Sequence, residues 1–179
     1  MSLISTHRMQ PADASIGLDP GRISVLTAVV DRIYPDTDWG PGGARLDVAA
    51  DIVRQLAGAY GTGSDSYAPG PFAPNAHSCF GWQRDESRLA FLGRGLFALD
   101  RCAAARYGVH FVELTTMQRD RVLGDIEIGA AAEGFTSAEW IDWFDLVLEQ
   151  VFTALFIAPV GGRYGTAWAW GRLLNGGER

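Results

Sequence analysis

Lysine is absent: the 15 basic residues are all arginine, set against 21 acidic ones for a net charge of -6. These charges are scattered along the chain, whereas a surface that tracks phosphates gathers its cations on one face. Nucleic acid is therefore not an expected partner. The two cysteines, Cys79 and Cys102, form no CxxC motif and have no second pair, so no thiolate metal site is expected; one disulfide and two thiols both remain open.

Long uncharged apolar runs are also missing. The longest candidate, residues 140–157, is interrupted by Asp142, Asp145, Glu149 and Gln150, and each acid at mid-membrane would cost ~2.5–3.5 kcal/mol. It reads as a central core helix with those polar residues on one stripe, not as a membrane span. The first twenty residues hold neither a twin arginine nor an apolar stretch of seven. As it stands the chain is expected in the cytoplasm, or in the periplasm if a twin-arginine leader has been removed or a partner supplies one.

What is present is helical periodicity. At 47% hydrophobic and 20% charged residues, the composition is that of a globular protein with one core. Asp19 before Pro20 reads as an N-cap with proline at the first helical position, and Ile23, Leu26, Val30 and Ile33 keep one face until Pro35 stops the helix. Leu46, Ala49, Ala50, Val53, Leu56 and Ala57 give a second stripe, with Gly58 and Gly61 as its terminators. Asp85 is expected to cap a third helix that carries Leu89, Leu92, Leu96, Leu99, Ala103 and Tyr107 up to Gly108. Capping boxes at Thr115-x-x-Gln118 and Thr136-x-x-Glu139 open a fourth helix, ending near Gly129, and a fifth, ended by Pro159. No strand alternation or repeat period appears. The expected fold class is all-α, a single domain of about five main helices with long ordered loops, spanning residues 19–175 after a flexible 1–18 segment.

Two loops carry unusual composition. Between the first two helices lies IYPDTDWGPGGA, residues 33–44. Asp36, Asp38 and Asp47 occupy positions 1, 3 and 12 of a calcium loop, but position 6 is Pro41 where glycine is required and position 12 is not glutamate. The better reading is a tight turn in which Asp36 and Asp38 bind backbone amides. Residues 60–82 are rich in Gly, Pro and Ser, yet carry Tyr60, Tyr67, Phe72, Phe80 and Trp82, so an ordered loop lying across a surface is expected.

Catalytic signatures are sparse. Gly61-Thr62-Gly63 and Gly161-Gly162-Arg163-Tyr164-Gly165 follow helices instead of linking a strand to a helix, so neither has the context of a dinucleotide fingerprint. No GxSxG elbow or Cys-His nucleophile pattern is present. His110 and Glu113 form an HxxE pair that could ligate a metal or relay a proton, or could simply sit at a helix boundary. The surplus lies in aromatics, six of them tryptophan. Such rings bury large area at low entropic cost and mark binding hot spots, and they equally serve to pack a protein's own loops. Tyr34, Trp39, Pro41, Tyr67, Phe72, Trp82, Tyr164, Trp168 and Trp170 are the candidate interface residues. No residue is assigned a catalytic, cofactor-binding or metal-binding role.

Several of these stretches together resemble one family. Tyr34-Pro35-Asp36-Thr37-Asp38-Trp39-Gly40-Pro41-Gly42-Gly43-Ala44, then a helix ending in Gln55-Leu56-Ala57-Gly58, is similar to the opening of the gluconate 2-dehydrogenase subunit 3 family. Gly70-Pro71-Phe72, residues 94–100, Tyr107-Gly108, Phe111, Leu114 and residues 118–123 continue the likeness. Near the C-terminus, Pro159, Gly161-Gly162 and Trp168 match the family's pattern, while its leading acid, the tyrosine before the glycines and the asparagine are missing. The resemblance implies a non-catalytic small subunit with no cofactor of its own. It would stabilise a large subunit of the glucose-methanol-choline oxidoreductase class that holds FAD and oxidises a sugar, glycoside or polyol hydroxyl. An electron-transfer subunit is a further candidate partner. Two other readings stand beside it: a small helical metal-dependent enzyme using His110 and Glu113, and a helical adaptor for an unrelated protein.

Overall fold

A computed structural model describes residues 18–38, 40–64, 72–73, 81–131 and 134–157. Outside them lie residues 1–17 of the segment expected to be flexible, most of the 60–82 loop, and the 159–165 loop. The described residues form six α-helices, five of them long, and no strand; one isolated bridge pairs Thr37 with Gly40. The expectation of an all-α fold with five main helices is met.

Helix α1, Pro20–Ile33, begins as its sequence requires: the Asp19 carboxylate accepts the Arg22 N–H at 3.0 Å and Pro20 occupies the first turn. It buries Val25, Leu26, Val29 and Val30 and packs against α2 (Val48–Leu56), α4 (Arg88–Tyr107), α5 (Thr116–Glu127) and α6 (Ser137–Phe152). Leu18, just before the cap, is also buried. One cluster draws Leu26, Val29, Ile52, Leu92, Leu96, Leu99, Ile126, Trp140, Trp143 and Val147 from all five long helices. Each fully buried aliphatic side chain contributes ~1.5–3 kcal/mol relative to exposure.

Both capping boxes form. The Thr115 hydroxyl accepts the Gln118 backbone N–H and the Gln118 side-chain Oε1 accepts the Thr115 N–H at 2.9 Å; Thr136 and Glu139 repeat the exchange. The third long helix starts later than expected. Its cap is Ser87, whose hydroxyl accepts the Ala90 N–H at 3.1 Å, and not Asp85. It ends at Gly108, whose φ of 76° is the left-handed conformation a glycine adopts without strain.

Three further features differ from the sequence expectation. A short helix α3, Ala59–Thr62, follows α2 where Gly58 and Gly61 read as terminators: Gly58 is its N-cap, and Gly61 is buried against the Leu56 backbone, where a Cβ would overlap it. Gln150 does not share the polar stripe of Asp142, Asp145 and Glu149. It points into the core at 1% exposure. Finally, α6 keeps α-helical form only to Phe152 and widens into a π-helical turn over Thr153–Ile157. That turn keeps Ala154 and Leu155 buried and leaves Phe156 outside.

Helices α4 and α6 pack closely where they cross. Gly95 on α4 faces the Trp143 indole on α6, so a Cβ at Gly95 would overlap the ring. The indole N–H donates to the Leu92 carbonyl at 3.2 Å, which satisfies a buried donor.

Candidate partner interface

The turn between α1 and α2 is built by proline and glycine. The Tyr34 N–H closes α1 on the Val30 carbonyl at 2.9 Å, the Tyr34 carbonyl accepts the Gly43 N–H at 2.7 Å, and Thr37 and Gly40 exchange two backbone bonds. The Asp36 carboxylate accepts the Gly42 N–H and lies 3.8 Å from the Arg45 guanidinium. Gly42 and Gly43 are buried, and a Cβ at either would overlap the 35–36 backbone or the Val30 side chain. Asp36 thus holds a backbone amide, as the turn reading expects. Asp47, the last position of the rejected calcium loop, is the N-cap residue of α2 and has a left-handed φ of 56°.

A second group of residues interleaves arginine with aromatic rings. Trp82 meets Phe91 edge-on at 5.6 Å, Phe91 stacks on Phe135 at 5.4 Å, and Phe135, Trp140 and Trp143 continue the row at 4.7 and 5.8 Å. Arg88 lies 4.2 Å from the Tyr60 ring centre and 5.0 Å from that of Trp82; Arg94 lies 4.2 Å from Phe135. Such contacts contribute ~0.5–1 kcal/mol each at exposed sites. Arg94 is held by Glu86 at 2.5 Å and by Glu139 at 3.1 Å. Burial pushes the Glu139 carboxyl up, but the Thr136 donors and Arg94 outweigh it and leave the group below the usual carboxylate range. These charges are spent inside the protein.

The HxxE pair is a local clamp. Glu113 turns back to accept the His110 N–H at 2.9 Å, while the His110 ring nitrogen Nδ1 sits 2.7 Å from Asp100, whose other oxygen accepts the Phe111 N–H at 2.8 Å. This arrangement ties the 3₁₀ turn Phe111–Glu113 to α4, and the hydrogen bond that the ring donates to Asp100, then the charge of that carboxylate, raises the histidine pKa above its ordinary value. Among the described residues no group of three or more His, Cys, Asp and Glu side chains could hold a metal ion, and no helix is long and apolar enough to cross a membrane. A cleft beside α4 and α5, about 310 Å³, is lined by Cys102, Ala105, Arg106, Val122, Asp125 and Ala130. Its two charged groups are paired with each other.

Helix α6 shows a different chemistry. Trp143, Leu146, Val147, Gln150 and Val151 face the core. On the opposite side, Ile141, Leu148, Phe152 and Phe156 are 40%, 39%, 56% and 51% exposed. At about 100° per residue, positions 141, 145, 148 and 152 fall within a narrow arc, so they form one stripe. The rings of Phe152 and Phe156 lie 5.1 Å apart. Asp145 sits inside the stripe with no hydrogen bond or ion pair among the described residues, while Asp142 is paired with Arg84 and Glu149 accepts the Tyr60 hydroxyl at 3.1 Å.

Of the residues singled out from sequence, Tyr34 is exposed at the end of α1, while Pro41 and Phe72 are half-buried. Trp82 is half-buried against Phe91 and Arg88, with its N–H donated to the Glu86 carbonyl at 2.6 Å, so much of its ring packs its own chain. Trp39, Tyr67, Tyr164, Trp168 and Trp170 lie outside the described residues, as does Cys79. The sequence reading missed the α6 stripe, together with the exposed Phe97, Met117 and Ile128. For α6 the signal was the spacing 141, 148, 152, 156, hidden because a second apolar face reads as more core.

No curated relative and no solved structure matches the chain. The sequence profile of one family does, over residues 20–172: gluconate 2-dehydrogenase subunit 3. The match runs from the first residue of α1 past the π-helical turn, so the whole described helical domain falls within it. A protein with this turn, these helices and that extent of likeness belongs to the gluconate 2-dehydrogenase subunit 3 family.

Proposed function

We propose that this chain is the non-catalytic small subunit of an FAD-dependent dehydrogenase, binding and stabilising a larger subunit that oxidises a sugar, glycoside or polyol hydroxyl. The observation that carries the reading is the family match across residues 20–172, since the family's description is that of a dehydrogenase subunit. The chemistry found on the chain is consistent with this role. Glu113 is occupied by a backbone cap, the clustered arginines pair with acids and stack on rings, and several large apolar residues, Phe97, Ile141, Leu148 and Phe152 among them, are left outside on helix faces. The flavin, in this reading, belongs to the large subunit, of the glucose-methanol-choline oxidoreductase class.

The test is co-expression with a large flavoprotein of that class, which this reading expects to be encoded beside this chain. The two should co-purify as a yellow complex, and the large subunit expressed alone should be poorly soluble or lose flavin. A chain that stays separate from a fully soluble, flavin-loaded large subunit would refute the proposal. The alternative enzyme reading would require a stoichiometric metal in the purified chain, lost on His110→Ala.

A further inference from the structure

We infer that the outer face of α6, with Ile141, Leu148, Phe152 and Phe156 around Asp145, is the seat of the large subunit, which places there an apolar surface carrying one arginine or lysine. The inference rests on the proposed function and names the surface through which it acts. A helix apolar on both sides belongs in an interior. The protein's own elements cover the face of Trp143 and Val147, and the other face holds four large apolar side chains, each at least 39% exposed. The Phe152 and Phe156 rings already lean on each other, which lowers the ordering cost of burying them against a partner.

Charge decides between the occupants. Asp145 lies within the stripe and has no partner among the described residues, whereas its neighbours Asp142 and Glu149 are engaged by Arg84 and Tyr60. Burying a lone carboxylate is strongly unfavourable, so whatever covers the stripe must bring a cation or strand the charge. A second copy seated face to face on α6 would bring no free cation, because Ser137–Phe152 contains four acids and no basic residue, and the arginine beside it, Arg84, is already paired with Asp142. A partner subunit of different sequence can supply the cation, and an apolar centre with one paired charge is the composition of a binding hot spot.

The test uses the full chain, alone and co-expressed with the large subunit. Leu148→Ser with Phe152→Ser should weaken the complex ~100-fold, and Asp145→Arg ~10-fold or more, with Asp145→Asn falling between wild type and Asp145→Arg. The isolated variants should melt within about 2 °C of wild type, because surface substitutions away from the core are nearly neutral. If wild type binds and all three variants bind equally well, the seat lies elsewhere while the proposed function stands. If wild type does not bind, the proposed function falls and this inference with it. A melting point lowered by more than about 5 °C in the isolated double variant would mean that the chain covers the stripe itself. A wild-type dimer made monomeric by the same variant would make a second copy the occupant. Either result overturns the assignment.

Discussion

Gly95→Ala separates the two forces acting at the α4–α6 crossing. In an isolated helix the change is favourable, because alanine exceeds glycine in helix propensity by ~0.8–1 kcal/mol. Here the new methyl group would overlap the Trp143 indole, which is fully buried and also meets Trp140 edge-on at 5.8 Å. The ring has nowhere to retreat without separating the helices. Overpacking of this kind costs ~1–3 kcal/mol, and loss of the bond from the Trp143 N–H to the Leu92 carbonyl adds ~1 kcal/mol. After subtracting the propensity gain, the net destabilisation is ~1–3 kcal/mol, or a Tm lower by roughly 2–10 °C. Gly124 in α5 is the control: its Cβ position is open, so Gly124→Ala should raise stability by ~0.5–1 kcal/mol. Thermal melts followed by circular dichroism measure both. Equal stabilisation by the two substitutions would refute the packing argument, since propensity alone would then explain the result.

Other outcomes follow from the same structure. Asp36→Ala removes the acceptor of the Gly42 N–H in the α1–α2 turn and should cost ~1 kcal/mol, read as a lower denaturation midpoint. His110 has a raised pKa in the folded protein, chiefly through its bond to Asp100. Its contribution to stability is therefore full below the ordinary histidine value of about 6.5 and is lost as pH rises through the raised one. Melts across neutral pH should show that decline, and Asp100→Asn should abolish it. Glu139 works in the opposite direction: its lowered pKa gives stability that is full above the ordinary carboxylate value and lost as pH falls through the lowered one. Glu139→Gln should flatten that part of an acid titration.

The helix starts were legible because capping is local. Asp19-Pro20, Thr115-x-x-Gln118 and Thr136-x-x-Glu139 each satisfy their own orphan amides, whatever packs around them. The start of α4 was harder: Asp85 has a capping side chain, but the oxygen that reaches the Ala90 N–H is that of Ser87, two residues further on. Gly61 misled because glycine reads as a terminator, whereas here it allows a close approach to the Leu56 backbone. The π-helical turn at Thr153–Ile157 carries no sequence mark, since neither proline nor glycine lies within it. Exposed apolar surface was the least legible feature. Aromatic type picked out Trp82, which packs largely on its own chain, while the exposed stripe on α6 depends on which helices leave one face of it uncovered. That arrangement is a property of the tertiary fold, and period counting cannot supply it.

The proposed function is that this chain keeps a flavoprotein partner folded and active. The most direct measurement is dye-linked sugar or polyol oxidation by the soluble fraction of cells expressing the large subunit with and without this chain, normalised to bound flavin. The account predicts soluble, flavin-loaded activity that depends on this chain and a rate per flavin that does not. Full activity from the large subunit alone would contradict it.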